Sequence, residues 1–135
     1  MPQTIVKGVK QLVGEARQRI EELTVEEVLA LHGNDDVVIV DIRDVRELQR
    51  LGMIPGAVHC PRGMLEFWID PESPYYKETF GQDKRFIFHC AGGQRSALAA
   101  DIAQTMGLKP VAHMIGGYKA WTEGGGPTEQ PERKE

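Results

Sequence analysis

The chain has 135 residues, 27% of them charged and 41% hydrophobic, with a formal net charge of −4. That length suits one ordinary domain and excludes a two-domain enzyme, and the acidic balance gives no general electrostatic case for nucleic-acid binding, so any anion site must be local. The two cysteines, Cys60 and Cys90, permit at most one disulfide, which excludes a cysteine-dense secreted scaffold and makes reduced thiols the default.

The opening segment MPQTIVKGVKQLVGEARQRIEE lacks a secretory apolar region, and no stretch approaches the roughly 20 apolar residues of a membrane span. A soluble, cytoplasmic protein with no membrane partner is expected. His32, His59, His89 and His113 are scattered and neither cysteine has a neighbour at ligand spacing, so no metal site is expected.

From Ile5 to Leu23 apolar residues recur every three or four positions, which predicts an amphipathic helix over residues 1–23. Gly8 and Gly14 weaken it, so it needs a packing surface, its own domain in preference to a partner helix. Thr24 with Glu27 has capping-box spacing and opens a helix over Val25–Leu31, closed by Gly33. Val37–Val40 is a β-branched run typical of a strand buried on both faces, and Asp41 ends it. Asp44 with Glu47 repeats the capping spacing before a helix that stops at Gly52.

Ile54-Pro55-Gly56 is a turn into a short extended segment, Ala57–Cys60, that Pro61 terminates. Met64–Ile69 reads as a short helix, and the segment Asp70-Pro71-Glu72-Ser73-Pro74 breaks it. Phe86–His89 is a second buried-type strand, followed by the glycine-bearing CAGGQRS segment and a helix over residues 97–107. Val111–Ile115 reads as a strand and Tyr118–Thr122 as a short helix. From Gly124 onward the composition has no apolar face, which predicts a disordered tail over 124–135. Alternating strands and helices with short connections imply an α/β fold, a mostly parallel sheet covered on both faces. Reactive groups then lie beyond the carboxyl ends of the strands, after Val40, His59 and Phe88.

Cys90 stands at such an end. Gly92 and Gly93 allow successive backbone N–H groups to turn inward, and the following helix directs its free N–H groups and positive dipole end to the same point. Such a nest favours an anion, and the thiolate, the nucleophilic form of cysteine, is one. Arg95 adds a permanent charge and a planar fork suited to an oxyanion.

These residues resemble a known family. HCAGGQRSALAA is similar to the active-site segment of the rhodanese, or sulfurtransferase, domain, with its catalytic cysteine in a Cys-x4-Arg loop. IVDIRDVREL (39–48), GMIPGAVHCPRG (52–63) and IGGYKAWTEGGGP (115–127) resemble three further motifs of the same family, in order. The amino-terminal helix with PRGMLEFWIDPESPYY resembles a bacterial single-domain subgroup. The resemblance implies a rhodanese-like three-layer fold of four to five strands, with residues 24–123 as the domain. It implies Cys90 as catalytic cysteine, a substrate-binding loop of Ala91, Gly92, Gly93, Gln94, Arg95 and Ser96, and Asp41 and Arg43 as charged braces of the fold. Met53 stands where the family often has histidine, and at that position it affects packing rather than chemistry.

The implied reaction is a two-step transfer. Cys90 takes the outer sulfur of a donor such as thiosulfate, becomes a persulfide, and yields the sulfur to cyanide, a cellular thiol or a protein acceptor. It needs no metal or organic cofactor. The nearest competing enzyme is a cysteine-dependent phosphatase, whose Cys-x5-Arg loop is one residue longer; the non-enzymatic alternative is a regulatory or docking module. Arg62 is either a second contact for the donor or half of a surface ion pair. Cys60 at an apolar strand end reads as packing rather than as a resolving thiol. Strand alternation leaves His59 and His89 free to point away from the pocket. Phe67, Trp68, Tyr75 and Tyr76 read as core packing in preference to pocket lining, and Tyr118 and Trp121 as packing the last helix on the sheet.

Overall fold

A computed structural model describes residues 2–131. Five strands form one sheet: β1 (Glu21–Leu23), β2 (Val37–Asp41), β3 (Val58–His59), β4 (Arg85–His89) and β5 (Val111–Met114). Their order is β1-β5-β4-β2-β3 and every pairing is parallel. Six α-helices cover it: α1 (Val9–Arg19), α2 (Val25–Leu31), α3 (Val45–Leu51), α4 (Leu65–Ile69), α5 (Gln94–Met106) and α6 (Gly117–Glu123). Among the described residues no helix is long and apolar enough to cross a membrane.

The alternation of side chains along the strands divides the core. Val38, Val40, Phe86 and Phe88 face one layer, where Ala16 of α1, Leu65 of α4 and Ala97 and Ala100 of α5 pack on them. Ile39, Ile87, Ala112 and Met114 face the other, against Val28 of α2 and Tyr118 and Trp121 of α6. Both capping boxes form: Glu27 N–H donates to Thr24 Oγ1 at 3.2 Å while Thr24 N–H donates to Glu27, and the Asp44–Glu47 pair opens α3 in the same way.

The amino-terminal helix is shorter than its periodicity predicts. α1 ends at Arg19 and residues Glu21–Leu23 form the edge strand β1, pairing with β5. Edge pairing satisfies backbone groups of β5, and Leu23 is buried as a strand residue, which outweighs the helical spacing. α1 lies on α5 and buries Ala16, whereas Ile5, Val6 and Val9 remain exposed. α5 starts at Gln94, three residues before the predicted start, because Gly93 at φ +100° turns the chain directly into the helix. A 3-10 turn over Glu78–Gly81 has no counterpart in the sequence reading.

The tail prediction needs correction over 124–131. Gly126 N–H donates to Trp121 O, Trp121 Nε1–H donates to Pro127 O at 2.7 Å, and Met53 and Glu129 form an antiparallel bridge. The turn lets the chain cover the edge of the Trp121 ring, giving a polar segment an anchor that its composition conceals. Residues 132–135 of the predicted tail lie outside the described residues. Met53 is 8% exposed at that bridge, a packing position.

Candidate active site

β4 and β2 end side by side, with Asp41 in register with His89, so the chain after each emerges on one edge of the sheet. Cys90 follows β4 and is only 1% exposed. Its Sγ accepts the N–H of Gly93 at 3.2 Å and that of Ser96 at 3.4 Å, and lies 3.6 Å from Ser96 Oγ, within reach for the larger sulfur atom. The start of α5 therefore wraps the sulfur with donors. These groups stabilise negative charge on sulfur without having to reorganise.

The loop is held from behind by α6. Tyr118 N–H donates to Cys90 O at 2.7 Å and Lys119 N–H to Ala91 O at 3.1 Å. Gly117 makes the approach feasible: at φ +63°, a Cβ on it would lie 2.5 Å from the Cys90 carbonyl oxygen. The closing glycine pair, Gly116-Gly117, is thus part of the cysteine loop's support.

Beneath the loop Asp41, Arg43 and His89 are completely buried together. Arg43 donates to both Asp41 oxygens, Nε–H to Oδ1 at 3.0 Å and Nη2–H to Oδ2 at 2.7 Å, and also to Gly52 O at 2.9 Å. Its guanidinium stacks 4.2 Å from the Tyr118 ring centroid. Burial alone would raise the Asp41 pKa, but the Arg43 hydrogen bonds and the nearby His89 hold it below the usual carboxylate value. His89, stacked on Tyr118, is held below the ordinary imidazole value by burial.

Arg95 stands beside the loop with its fork on Glu47, at 2.9 and 3.0 Å. That pairing lowers the Glu47 pKa to about 2 and ties the first turn of α5 to the first turn of α3. Arg62 pairs with Glu66 one helical turn on, at 2.8 Å. Cys60 is buried and its pKa is pushed up to about 12 by desolvation, the behaviour of a packing thiol. His59 Nε2 lies 2.8 Å from Arg43 O.

Of the four aromatic residues read as core, Phe67 and Tyr75 are not. They are 51% and 57% exposed and meet edge to face, because the turn at Pro71–Pro74 folds one over the other at the surface. Trp68 does pack on the core, under Lys77, while Tyr76 lies against Gly81. Tyr118 and Trp121 pack α6 on the sheet as expected.

Three site neighbours escaped the sequence reading. Glu47 was legible only as a cap. Glu22 was assigned to a helix, and His113 was weighed only as a metal ligand. Its place at the carboxyl end of a strand was the available signal. Among the described residues no cluster of three or more His, Cys, Asp or Glu is arranged to hold a metal ion.

The rhodanese-like domain family matches residues 24–124, three quarters of the chain. The chain belongs to that family. It is 30% identical over 104 residues to the mouse thiosulfate sulfurtransferase/rhodanese-like domain-containing protein 3, a match covering 73% of this chain and 66%, just short of two thirds, of the mouse protein. It is 25% identical to the human thiosulfate:glutathione sulfurtransferase, over 75% of this chain and 92% of that one. Among solved structures, a Rhodopseudomonas palustris protein of unknown function, described as a possible tyrosine phosphatase, superposes with a TM-score of 0.94 at 62% identity, covering 96% of this chain and 99% of the other. The family and its sulfurtransferase relatives support sulfur chemistry in general, with a donor and an acceptor.

Proposed function

We propose that this protein is a sulfurtransferase that moves a sulfane sulfur from a donor such as thiosulfate to a thiophilic acceptor through a persulfide on Cys90. The observation that carries the reading is the cradle itself: Cys90 Sγ sits where the N–H groups of Gly93 and Ser96 converge at the start of α5. The thiolate attacks the outer sulfur of thiosulfate, the S–S bond breaks, and sulfite leaves with the bonding electron pair. The persulfide remains as an anion that the loop N–H groups stabilise. A cyanide ion or the thiolate of a small thiol or protein then takes the terminal sulfur and restores Cys90.

The loop Ala91–Ser96 binds the donor in this account, and Arg95 and Arg62 guide its negative charge while Asp41 and Arg43 brace the floor. Both arginines are paired with carboxylates, Arg95 with Glu47 and Arg62 with Glu66, so each exchanges that partner to contact the donor directly. Residues 24–123 carry the transferase domain, whose sheet is completed by β1 (Glu21–Leu23) and covered by α1. A cytoplasmic setting suits the two free thiols.

The second reading, a cysteine-dependent phosphatase, draws on the description of the Rhodopseudomonas protein. Four residues separate Cys90 from Arg95, one fewer than in such phosphatases, and the shorter ring suits one sulfur atom better than a tetrahedral phosphate. Thiosulfate and cyanide should give thiocyanate with the native protein and none with Cys90→Ser. Cys90-dependent hydrolysis of p-nitrophenyl phosphate, without thiocyanate formation, would favour the phosphatase instead.

A further inference from the structure

A chain of polar side chains leads away from the cysteine on the side opposite Asp41. Ser96 Oγ, 3.6 Å from Cys90 Sγ, is 3.0 Å from His113 Nδ1. His113 Nε2 is 2.9 Å from Glu22 Oε2, and Glu22 is clasped by Arg17 Nε–H at 2.7 Å. The members come from four elements: the start of α5, β5, the edge strand β1 and helix α1. Ser96 and His113 are buried, whereas Glu22 is partly open. Arg17, Glu22 and His113 also line a cavity of about 560 Å3 between α1 and the loop residues Gly92 and Gly93, so the far end of the chain meets water.

Chemistry fixes the direction of each bond. The Glu22 carboxylate, held below the usual range by Arg17, only accepts, so His113 Nε2 carries the proton. His113 Nδ1 then offers a lone pair, which the Ser96 hydroxyl fills as donor. A lone pair of Ser96 Oγ faces Cys90 and accepts its S–H. Two hydrogen bonds thus run from the thiol to the imidazole in one sense.

Resting on the reading of Cys90 as nucleophile, we propose that His113, clamped by Glu22 and acting through the Ser96 hydroxyl, receives the proton of the Cys90 thiol as the thiol ionises. The S–H bond breaks and its electron pair stays on sulfur. The proton passes to Ser96 Oγ as the Ser96 hydroxyl proton passes to His113 Nδ1, leaving serine neutral. The products are a thiolate that now accepts the Ser96 O–H and an imidazolium flanked by Glu22. His113 is a positioning residue, since it acts on sulfur only through serine.

The charged and titratable groups around His113 are Glu22 of β1, Arg17 and Lys10 of α1, and Cys90 through Ser96. Burial lowers the His113 pKa, with Arg17 acting in the same sense and Glu22 opposing. The ring is therefore neutral before the thiol ionises, as a proton acceptor must be. The thiolate that forms opposite then offsets the charge it gains.

The test is the alkylation rate of Cys90 by iodoacetamide across pH, followed by intact mass, in the native protein, Ser96→Ala, His113→Asn, Glu22→Gln and the Ser96→Ala/His113→Asn double variant. Buried Cys60, with its thiol pushed up to about 12, stays silent. Each single variant should react about tenfold more slowly near pH 7 and converge on the native rate at alkaline pH, where the thiol ionises unaided. The double variant should match Ser96→Ala, because both changes cut one path. Native rates throughout in His113→Asn would overturn the proposal, as would additive losses or slowing that persists at high pH, the pattern of a distorted loop. Should His113→Asn fail to fold, native profiles in Ser96→Ala and Glu22→Gln overturn it. Alkylation involves no sulfur donor, so this outcome is independent of whether Cys90 transfers sulfur.

Discussion

Asp41 and Arg43 are both completely buried two residues apart; Arg43 donates to both Asp41 oxygens and to Gly52 O, while its buried Nη1 has no partner among the described residues. Removing one partner strands the other in a low-dielectric interior, so Asp41→Ala should cost about 3–5 kcal/mol in urea denaturation; a loss under about 1 kcal/mol would mean that the pair is incidental. Arg95 is a different case, because its side chain is 43% exposed and its pairing with Glu47 is partly solvated. Exposed pairs contribute only about 0–1 kcal/mol, so Arg95→Ala should leave the denaturation midpoint nearly unchanged while raising the KM for thiosulfate about tenfold. Parallel losses in stability and donor use would instead make Arg95 a brace. At this scale the cradle of donors around Cys90 was legible because cysteine, glycines, arginine and helix start are contiguous. His113 and Glu22 were not, since they lie 91 residues apart in sequence and meet only because β1 pairs with β5.

At the scale of elements, the cysteine loop is shaped by two helix starts. α5 supplies N–H groups to the sulfur, and α6 supplies N–H groups to the carbonyls of Cys90 and Ala91. Gly117→Ala forces a Cβ into those carbonyls at a backbone conformation side chains rarely adopt, so it should cut sulfur transfer at least tenfold. Far-ultraviolet circular dichroism should stay native, and full activity in that variant would show that the loop does not depend on α6. The strands β2 and β4 and the capped helices α2 and α3 could be read from local chemistry, β-branched runs and capping boxes, which compete with nothing else nearby. β1 could not, because a three-residue edge strand has too few positions to reveal alternation and extends the period of α1. The carboxyl-terminal segment misled for a related reason: residues 124–131 are fixed by Trp121, Met53 and a backbone bridge rather than by apolar residues of their own.

For the whole molecule, burial of titratable groups makes stability depend on pH. His89 and His113 have folded pKa values below the ordinary 6.5, so their unfolded forms take up protons first as acidity rises. Their contribution is full above about pH 6.5 and shrinks below it. Asp41 and Glu47, depressed from ordinary values of 3.8 and 4.5, add a second loss at lower pH still. Urea midpoints should therefore hold down to about pH 6.5 and fall from there to about pH 5, and His89→Gln should flatten that slope. A profile flat over this range would contradict the burial of neutral imidazoles. The overall acidity says little about the site: a net charge of −4 coexists with a small region where the N–H groups of Gly93 and Ser96 surround the Cys90 sulfur. If this region carries the transferred sulfur on Cys90, intact mass after incubation with thiosulfate shows it. One added sulfur in the native protein, retained in Cys60→Ser, absent in Cys90→Ser and removed by cyanide, is the predicted result; sulfur addition that survives Cys90→Ser would contradict it.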